Sequence, residues 1–322
     1  MLLISVIITV LNDKRIERVV DKLEEIIDCD KVEVIITDGG SIDGTWELAL
    51  KLSSRYKNVR VIKAPGTVAY SRNRAIDIVQ GRFIAFIDAD EYPDDKWLDT
   101  LYSAINRNEK TGFAGGPTPP YEYEKYTITA KYYSSYIDWF YDSTASRKPE
   151  VIPMGNSIWR REVFETVGRL DETISSGEDH DFANRAIAHG WEGIYVKEAI
   201  LYHDYTNLTI RKLWRKQAKY AMEGMFIYKR YSSTYETTKL NVVPYLLLPV
   251  SLFLSLIMFF VLHQIAVVLF LLGIADLLFL FIYLEIKGII LSKYYTGLQY
   301  GWIEIIRKYA VLWGVLKWYL KI

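Results

Sequence analysis

The stretch Arg82-Phe83-Ile84-Ala85-Phe86-Ile87-Asp88-Ala89-Asp90-Glu91 sets the fold. A short apolar run that ends abruptly in polar residues reads as a strand buried on both faces. The two carboxylates Asp88 and Asp90, at i and i+2 just past the strand, turn toward one point once the chain leaves the sheet. Hard oxygen ligands of this kind suit Mg²⁺ or Mn²⁺, which commonly holds a diphosphate at the same time. An exposed acidic turn has the same letters, so the surroundings must decide.

Outward from this stretch the same rhythm repeats. Apolar runs at 3–10, 32–37, 59–63 and 82–87 alternate with amphipathic stretches at 14–27, 45–55, 69–79 and 94–107. Strands separated by helices of that length imply right-handed crossovers and a mostly parallel α/β sheet covered on both faces. Ligands on such sheets sit at the carboxyl ends of the strands. The residues found there are Asn12-Asp13, Asp38-Gly39-Gly40-Ser41 and Asp88-Ala89-Asp90.

The chain has 322 residues, 51% of them hydrophobic and 24% charged, which excludes a disordered or fibrous protein. Lys+Arg (39) balances Asp+Glu (39), so no general electrostatic case for nucleic acid exists. The single cysteine, Cys29, excludes an internal disulfide framework and a Cys-rich zinc site and points to a reducing compartment. Catalytic candidates must therefore be carboxylates.

An ordered set of short motifs resembles family 2 glycosyltransferases. It runs Ser5-Val6-Ile7-Ile8, then Asn12; Asp38-Gly39-Gly40-Ser41-Ile42-Asp43-Gly44-Thr45; Arg72-Asn73-Arg74-Ala75; Phe86-Ile87-Asp88-Ala89-Asp90; Gly155-Asn156-Ser157; Gly168-Arg169-Leu170-Asp171-Glu172; and Gly177-Glu178-Asp179. The resemblance covers about residues 3–220 and implies the GT-A fold and inverting transfer from a nucleotide-sugar donor. Two departures stand out. The proline common in the family's first loop is missing from Thr9-Val10-Leu11-Asn12-Asp13, and Gly39 replaces the second of two paired aspartates.

The resemblance implies roles residue by residue. Asn12, Asp38, Ser41, Arg72, Asp88 and Asp90 would bind the donor, with Asp38 on the nucleoside and Asp90 the principal ligand of Mg²⁺ or Mn²⁺, next to Asp88. Arg72 either reaches the nucleotide or is a solvent-facing arginine. Asn156 matches a position of the acceptor or phosphate side. His203, after the strand-like run Ala199-Ile200-Leu201-Tyr202, reads as a late metal or phosphate ligand or as a core histidine.

Glu178-Asp179 opens a helix in which Phe182, Ala186 and Ile187 share a face and Gly190 is the stop. Acidic residues there are favourable as structure alone. In the family's motif the aspartate at the position of Asp179 is the general base, with Glu178 beside it. A hydroxyl needs such a base and a phosphate monoester does not, which favours a glycan or lipid-linked glycan hydroxyl as acceptor. The alternatives are a polyprenyl- or dolichyl-phosphate glycosyl synthase and a catalytically silent, membrane-anchored sugar-nucleotide binder. A homo-oligomer is compatible with the sequence.

Residues 242–262 carry no charge, and 265–284 carry only Asp276, which reads as two membrane-spanning helices joined at His263-Gln264. Lys229, Arg230 and Lys239 before the pair, and Lys287 and Lys293 after it, place its flanks, the catalytic region and both termini in the cytoplasm. The +3 charge of residues 242–322, against −3 before them, agrees with a membrane partner. Arg215 and Lys216 lie on a basic helix just upstream, a cradle for acceptor phosphates or a positive stripe beside a membrane. Residues 300–322 read as an interfacial amphipathic helix, its apolar face opposite Arg307, Lys308 and Lys317. The expected division is 1–230 catalytic, 231–290 hairpin and 291–322 terminal helix.

Overall fold

A computed structural model describes residues 3–145, 148–231, 247–259, 263–291 and 299–321. The chain forms two compact units: residues 1–124 with 137–205, and residues 125–136 with 206–322.

The first unit is a seven-stranded sheet of order β3-β2-β1-β4-β7-β6-β8. Its strands are β1 (Ile4–Val10), β2 (Val32–Asp38), β3 (Val59–Lys63), β4 (Phe83–Asp88), β6 (Thr111–Gly115), β7 (Ser157–Arg160) and β8 (Glu192–Tyr195). The first four are parallel, and β7 inserts antiparallel between β4 and β6. Successive side chains of β1 point to opposite faces. Val6 and Ile8 pack with α1 (Ile16–Ile26), α2 (Thr45–Arg55) and α4 (Trp97–Ile105). Ile7 packs on the other side with α3 (Val68–Ile76), α6 (Arg161–Thr166) and α7 (Glu178–Ala188). Burial on both faces is why these strands are apolar without alternation.

The order of the parallel strands positions the site. The chain builds β1, β2 and β3 outward to one side, then crosses to lay β4 on the other side of β1. The reversal gathers the carboxyl ends of β2, β1 and β4, with Val10 paired to Asp38 and Thr9 to Asp88. A separate two-stranded ribbon, β5 (Glu91–Pro93) and β9 (Leu201–His203), pairs Glu91 with His203. It fastens a segment more than a hundred residues downstream onto the Asp88-Ala89-Asp90 turn. In α7 the buried face is Phe182, Ala183 and Ala186. Ile187, expected on that face, is 38% exposed, because the helix docks one position earlier in its turn.

The second unit is helical. It holds α8 (Ile210–Tyr231), α9 (Leu247–Phe259), α10 (His263–Leu291), α11 (Gln299–Leu320) and the first residues of α5 (Ile128–Thr144), which runs on into the first unit. Gly314 of α11 lies against α8 so closely that a Cβ there would meet the Ala218 carbonyl oxygen. Arg307 of α11 is buried, donating to the Tyr132 hydroxyl at 3.0 Å and Gln217 Oε1 at 3.1 Å, and it pairs with Glu304. Arg307 therefore lies on a packed face of α11, not on the polar side where the helical spacing put it. Three polar partners let an arginine lie on the packed face.

The two membrane spans are not found. Among the described residues no helix is long and apolar enough to cross a membrane. The sequence of α10 includes Asp276, Glu285 and Lys287. His263 and Gln264 start α10 instead of forming a turn. Residues 242–246 and 260–262, with Lys239 and Lys293, lie outside the described residues. The two helices do pack on each other as a pair, but their membrane-spanning character and the cytoplasmic placement of both termini rested on those spans and lose their basis together.

Candidate active site

The loop after β1 and the loop after β2 latch to each other. Asn12, at φ +51, donates its backbone N–H to Ser41 Oγ at 2.8 Å, and its Oδ1 accepts from the Ile42 N–H at 2.9 Å. The left-handed conformation is one that asparagine tolerates better than most residues.

Asp38 is fully buried at the end of β2. Its Oδ1 accepts from the N–H groups of Gly40 and Ser41 at 2.9 and 2.8 Å, an Asx turn that fixes the loop. Its Oδ2 is buried without a hydrogen-bond partner in the structure. Buried carboxylate oxygens are seldom left so, and each calls for an explanation.

Asp88 and Arg72 form the centre. Asp88 Oδ1 accepts from Thr9 Oγ1 at 2.9 Å and from Arg72 Nη2 at 3.1 Å. The other Arg72 nitrogen, Nη1, donates to Glu178 Oε1 at 2.8 Å. Arg72 is therefore a buried strut between the end of β4 and the start of α7, not a solvent-facing side chain. Burial, with Asp179 adding to it and Arg72 opposing, raises the Glu178 carboxyl above the usual carboxylate range. Asp179 lies in the first turn of α7, only partly buried, its Oδ1 accepting from the His180 N–H at 2.8 Å. Its charge acts on both Arg72 and Glu178.

Glu91 is a site residue to which the sequence reading gave no role. It is buried, and its Oε2 accepts from the Asp88 N–H at 2.8 Å. Burial, then the charges of Asp88 and Asp90, push it well above the ordinary carboxylate range. Gly155 packs against both groups: a Cβ there would sit 2.8 Å from Asp88 Oδ2 and 3.0 Å from Glu91 Oε2.

Asp90 is more open. Its Oδ2 lies 3.7 Å from His203 Nε2 and 3.5 Å from Arg15 Nη2. The His203 ring stacks on Tyr205 with centroids 4.0 Å apart. Among the described residues no group of three or more His, Cys, Asp and Glu side chains is disposed to hold a metal ion. The chemistry of the donors nevertheless fits one, since carboxylate oxygens and an imidazole are ligands that Mg²⁺ and Mn²⁺ accept.

Two further candidates have internal work. Asn156 is fully buried; its Nδ2 donates to the carbonyls of Pro117 (2.8 Å) and Ala199 (3.1 Å), and its Oδ1 accepts from Trp97 Nε1 (2.7 Å). Its hydrogen-bonding capacity is spent inside the fold. Arg215 and Lys216 belong to the second unit, where Lys216 Nζ lies over the rings of Tyr133 and Tyr220. The structure thus gathers Asn12 with Ser41, Asp88 with Arg72 and Glu178, and Asp90 with His203 around neighbouring strand ends. Arg15 and Asp204, which the sequence reading left without a role, adjoin Asp90, and Asp13, seen in the sequence only as a strand-end residue, grips Arg15; only proximity in space shows that they meet.

Residues 5–168 match the model of glycosyl transferase family 2. The glycosyltransferase AglE of Haloferax volcanii is 28% identical over 205 residues, 62% of this chain and 66% of its own. The O-antigen chain rhamnosyltransferase WbaN of Salmonella anatum is 26% identical over 193 residues, 57% of this chain and 60% of its own. The chain spans just under two thirds of the length of these relatives. The mannosyltransferase PcManGT from Pyrobaculum calidifontis, solved with GDP-Man and Mn²⁺, superposes with a TM-score of 0.61 at 14% identity, covering 99% of this chain and 87% of that one. At that identity the likeness speaks for the fold.

Proposed function

The chain belongs to glycosyl transferase family 2, and on that premise we propose that it inverts the anomeric centre of a nucleotide-bound sugar while moving it to a hydroxyl of a lipid-linked glycan. That it is a glycosyltransferase follows from the family; donor, acceptor and metal are the reading offered here. The observation that carries it is the Arg72 strut, which ties Asp88 on the donor side to the Glu178-Asp179 turn.

Asp38 Oδ2, buried and unpaired, is suited to accept an N–H of the donor's base. Asp88 and Asp90, with His203, would hold Mg²⁺ or Mn²⁺, which when bound acts as a Lewis acid on the departing nucleoside diphosphate. The Pyrobaculum mannosyltransferase was solved in complex with GDP-Man and Mn²⁺, in keeping with this. Asp179, more open than Glu178 in the first turn of α7, is the base. The acceptor oxygen attacks the anomeric carbon as its proton passes to Asp179, and the bond from that carbon to the diphosphate oxygen breaks on the opposite face. Arg72 and Glu178 hold the start of α7 at a fixed distance from Asp88. A glycan acceptor agrees with the Salmonella relative, named for an O-antigen chain.

The test is Asp179→Asn. Transfer to an extracted lipid-linked glycan pool should fall at least ~10²-fold with donor binding unchanged, and the loss should shrink as pH rises and more acceptor ionises unaided. A variant within about threefold of wild type retires the general base and points to a polyprenyl phosphate as acceptor.

A further inference from the structure

We propose that Arg15 is a resident counter-cation of Asp90, which keeps the site from taking a divalent ion unless a nucleoside diphosphate enters with it. This rests on the metal-dependent reading above. Arg15 Nη2 lies 3.5 Å from Asp90 Oδ2, the same oxygen that His203 faces. The guanidinium is not free to swing away. Asp13 grips it from one side, with Nε at 2.9 and 3.1 Å and Nη2 at 2.6 Å from the carboxylate oxygens. On the other side Nη1 donates to the Asp204 carbonyl at 3.0 Å and stands 3.3 Å from the Asp204 carboxylate, which Arg18 shares at 2.8 Å. The Asp204 N–H in turn donates to the Asp90 carbonyl at 2.8 Å, which ties the anchor to the very turn it serves.

A fixed positive charge this close to Asp90 neutralises the carboxylate while the site is empty and repels a dication that would share its oxygen. A diphosphate reverses the balance, since its negative charge attracts Arg15 and the dication together. Dication and nucleotide affinities are then coupled, and the coupling is reciprocal.

The experiment is a titration of the full chain with Mn²⁺, the free ion read by electron paramagnetic resonance, alone and with UDP or GDP. In the wild type one of the nucleotides should tighten Mn²⁺ at least about tenfold. Arg15→Gln should bind Mn²⁺ alone at least about tenfold tighter than wild type and gain correspondingly less from nucleotide, while Arg15→Lys, which keeps the charge, stays within about threefold of wild type. Arg15→Met replaces Arg15→Gln if the latter loses its native circular dichroism. If wild type gains affinity from nucleotide but neither neutral variant binds Mn²⁺ tighter alone, Arg15 has no such role and the metal-dependent reading stands. If wild type binds no Mn²⁺ under any of these conditions, the metal-dependent reading fails and the inference fails with it.

Discussion

Arg72 Nη1 donates to Glu178 Oε1 at 2.8 Å, joining two residues 106 positions apart in the chain. The same guanidinium reaches Asp88 at 3.1 Å, so one cation neutralises a carboxylate at the end of a strand and another at the start of a helix. Arg72→Met would leave Glu178 buried without its countercharge. We expect a loss of about 3–5 kcal/mol in unfolding free energy. The double variant Arg72→Met/Glu178→Gln should be less destabilised than the sum of the two single changes, and a double-mutant cycle by urea denaturation reads the difference. Strict additivity would mean that the pair is not coupled.

The raised pKa of Glu178 has a sign in stability. A carboxyl that ionises later in the folded chain than in the unfolded one favours folding fully below about pH 4.5 and loses that contribution as pH rises through its folded pKa. Glu178→Gln has no such proton to lose. The Tm of the variant relative to wild type should therefore climb as pH rises above about 4.5. A constant difference across that range contradicts the buried, protonation-favouring environment.

Asp90→Asn tests the donor side. Transfer should fall by at least ~10², and the tight binding of UDP or GDP that depends on Mn²⁺ should vanish while the circular dichroism stays native. Wild type in excess chelator should behave alike, and full turnover in either case would remove the metal from the reaction.

Gly155→Ala places a methyl group 2.8 Å from Asp88 Oδ2 and 3.0 Å from Glu91 Oε2. At least one carboxylate must rotate. We expect transfer to drop at least about tenfold for a cost of about 1–3 kcal/mol in stability. Steady-state kinetics beside a thermal melt separates the two effects.

Asn156→Ala strips three hydrogen bonds from a fully buried position and leaves Trp97 Nε1 and the Ala199 carbonyl unsatisfied, the Pro117 carbonyl keeping the Leu201 N–H. The expected loss is about 2–5 kcal/mol, read by chemical denaturation. Donor affinity in the folded fraction should hold near wild type.

The sequence determined the local elements of the first unit and the side chains that end them. Apolar runs gave β1 to β4 within a residue or two, because strands buried on both faces must be apolar throughout. The helix from 45 to 55 matched at both ends. The carboxylates Asp38, Asp88 and Asp90 stood out because charges seldom close an apolar strand without a reason. Tertiary structure decided who meets whom. The crossing of β4 to the far side of β1, the β5–β9 ribbon and the docking of α7 set Arg72 on Glu178, His203 beside Asp90 and Glu91 under Asp88. Those meetings span up to 113 residues of chain and have no local periodicity to betray them. The same limit explains the misreadings. Periodicity put Arg307 on the polar side of its helix, whereas Tyr132, Gln217 and Glu304 together made a buried cation tolerable there. Apolar length alone suggested two membrane crossings, although among the described residues no helix is long and apolar enough to cross a membrane. Composition measures how much apolar surface a segment has; only packing fixes where a helix starts, where it stops and which of its faces is covered.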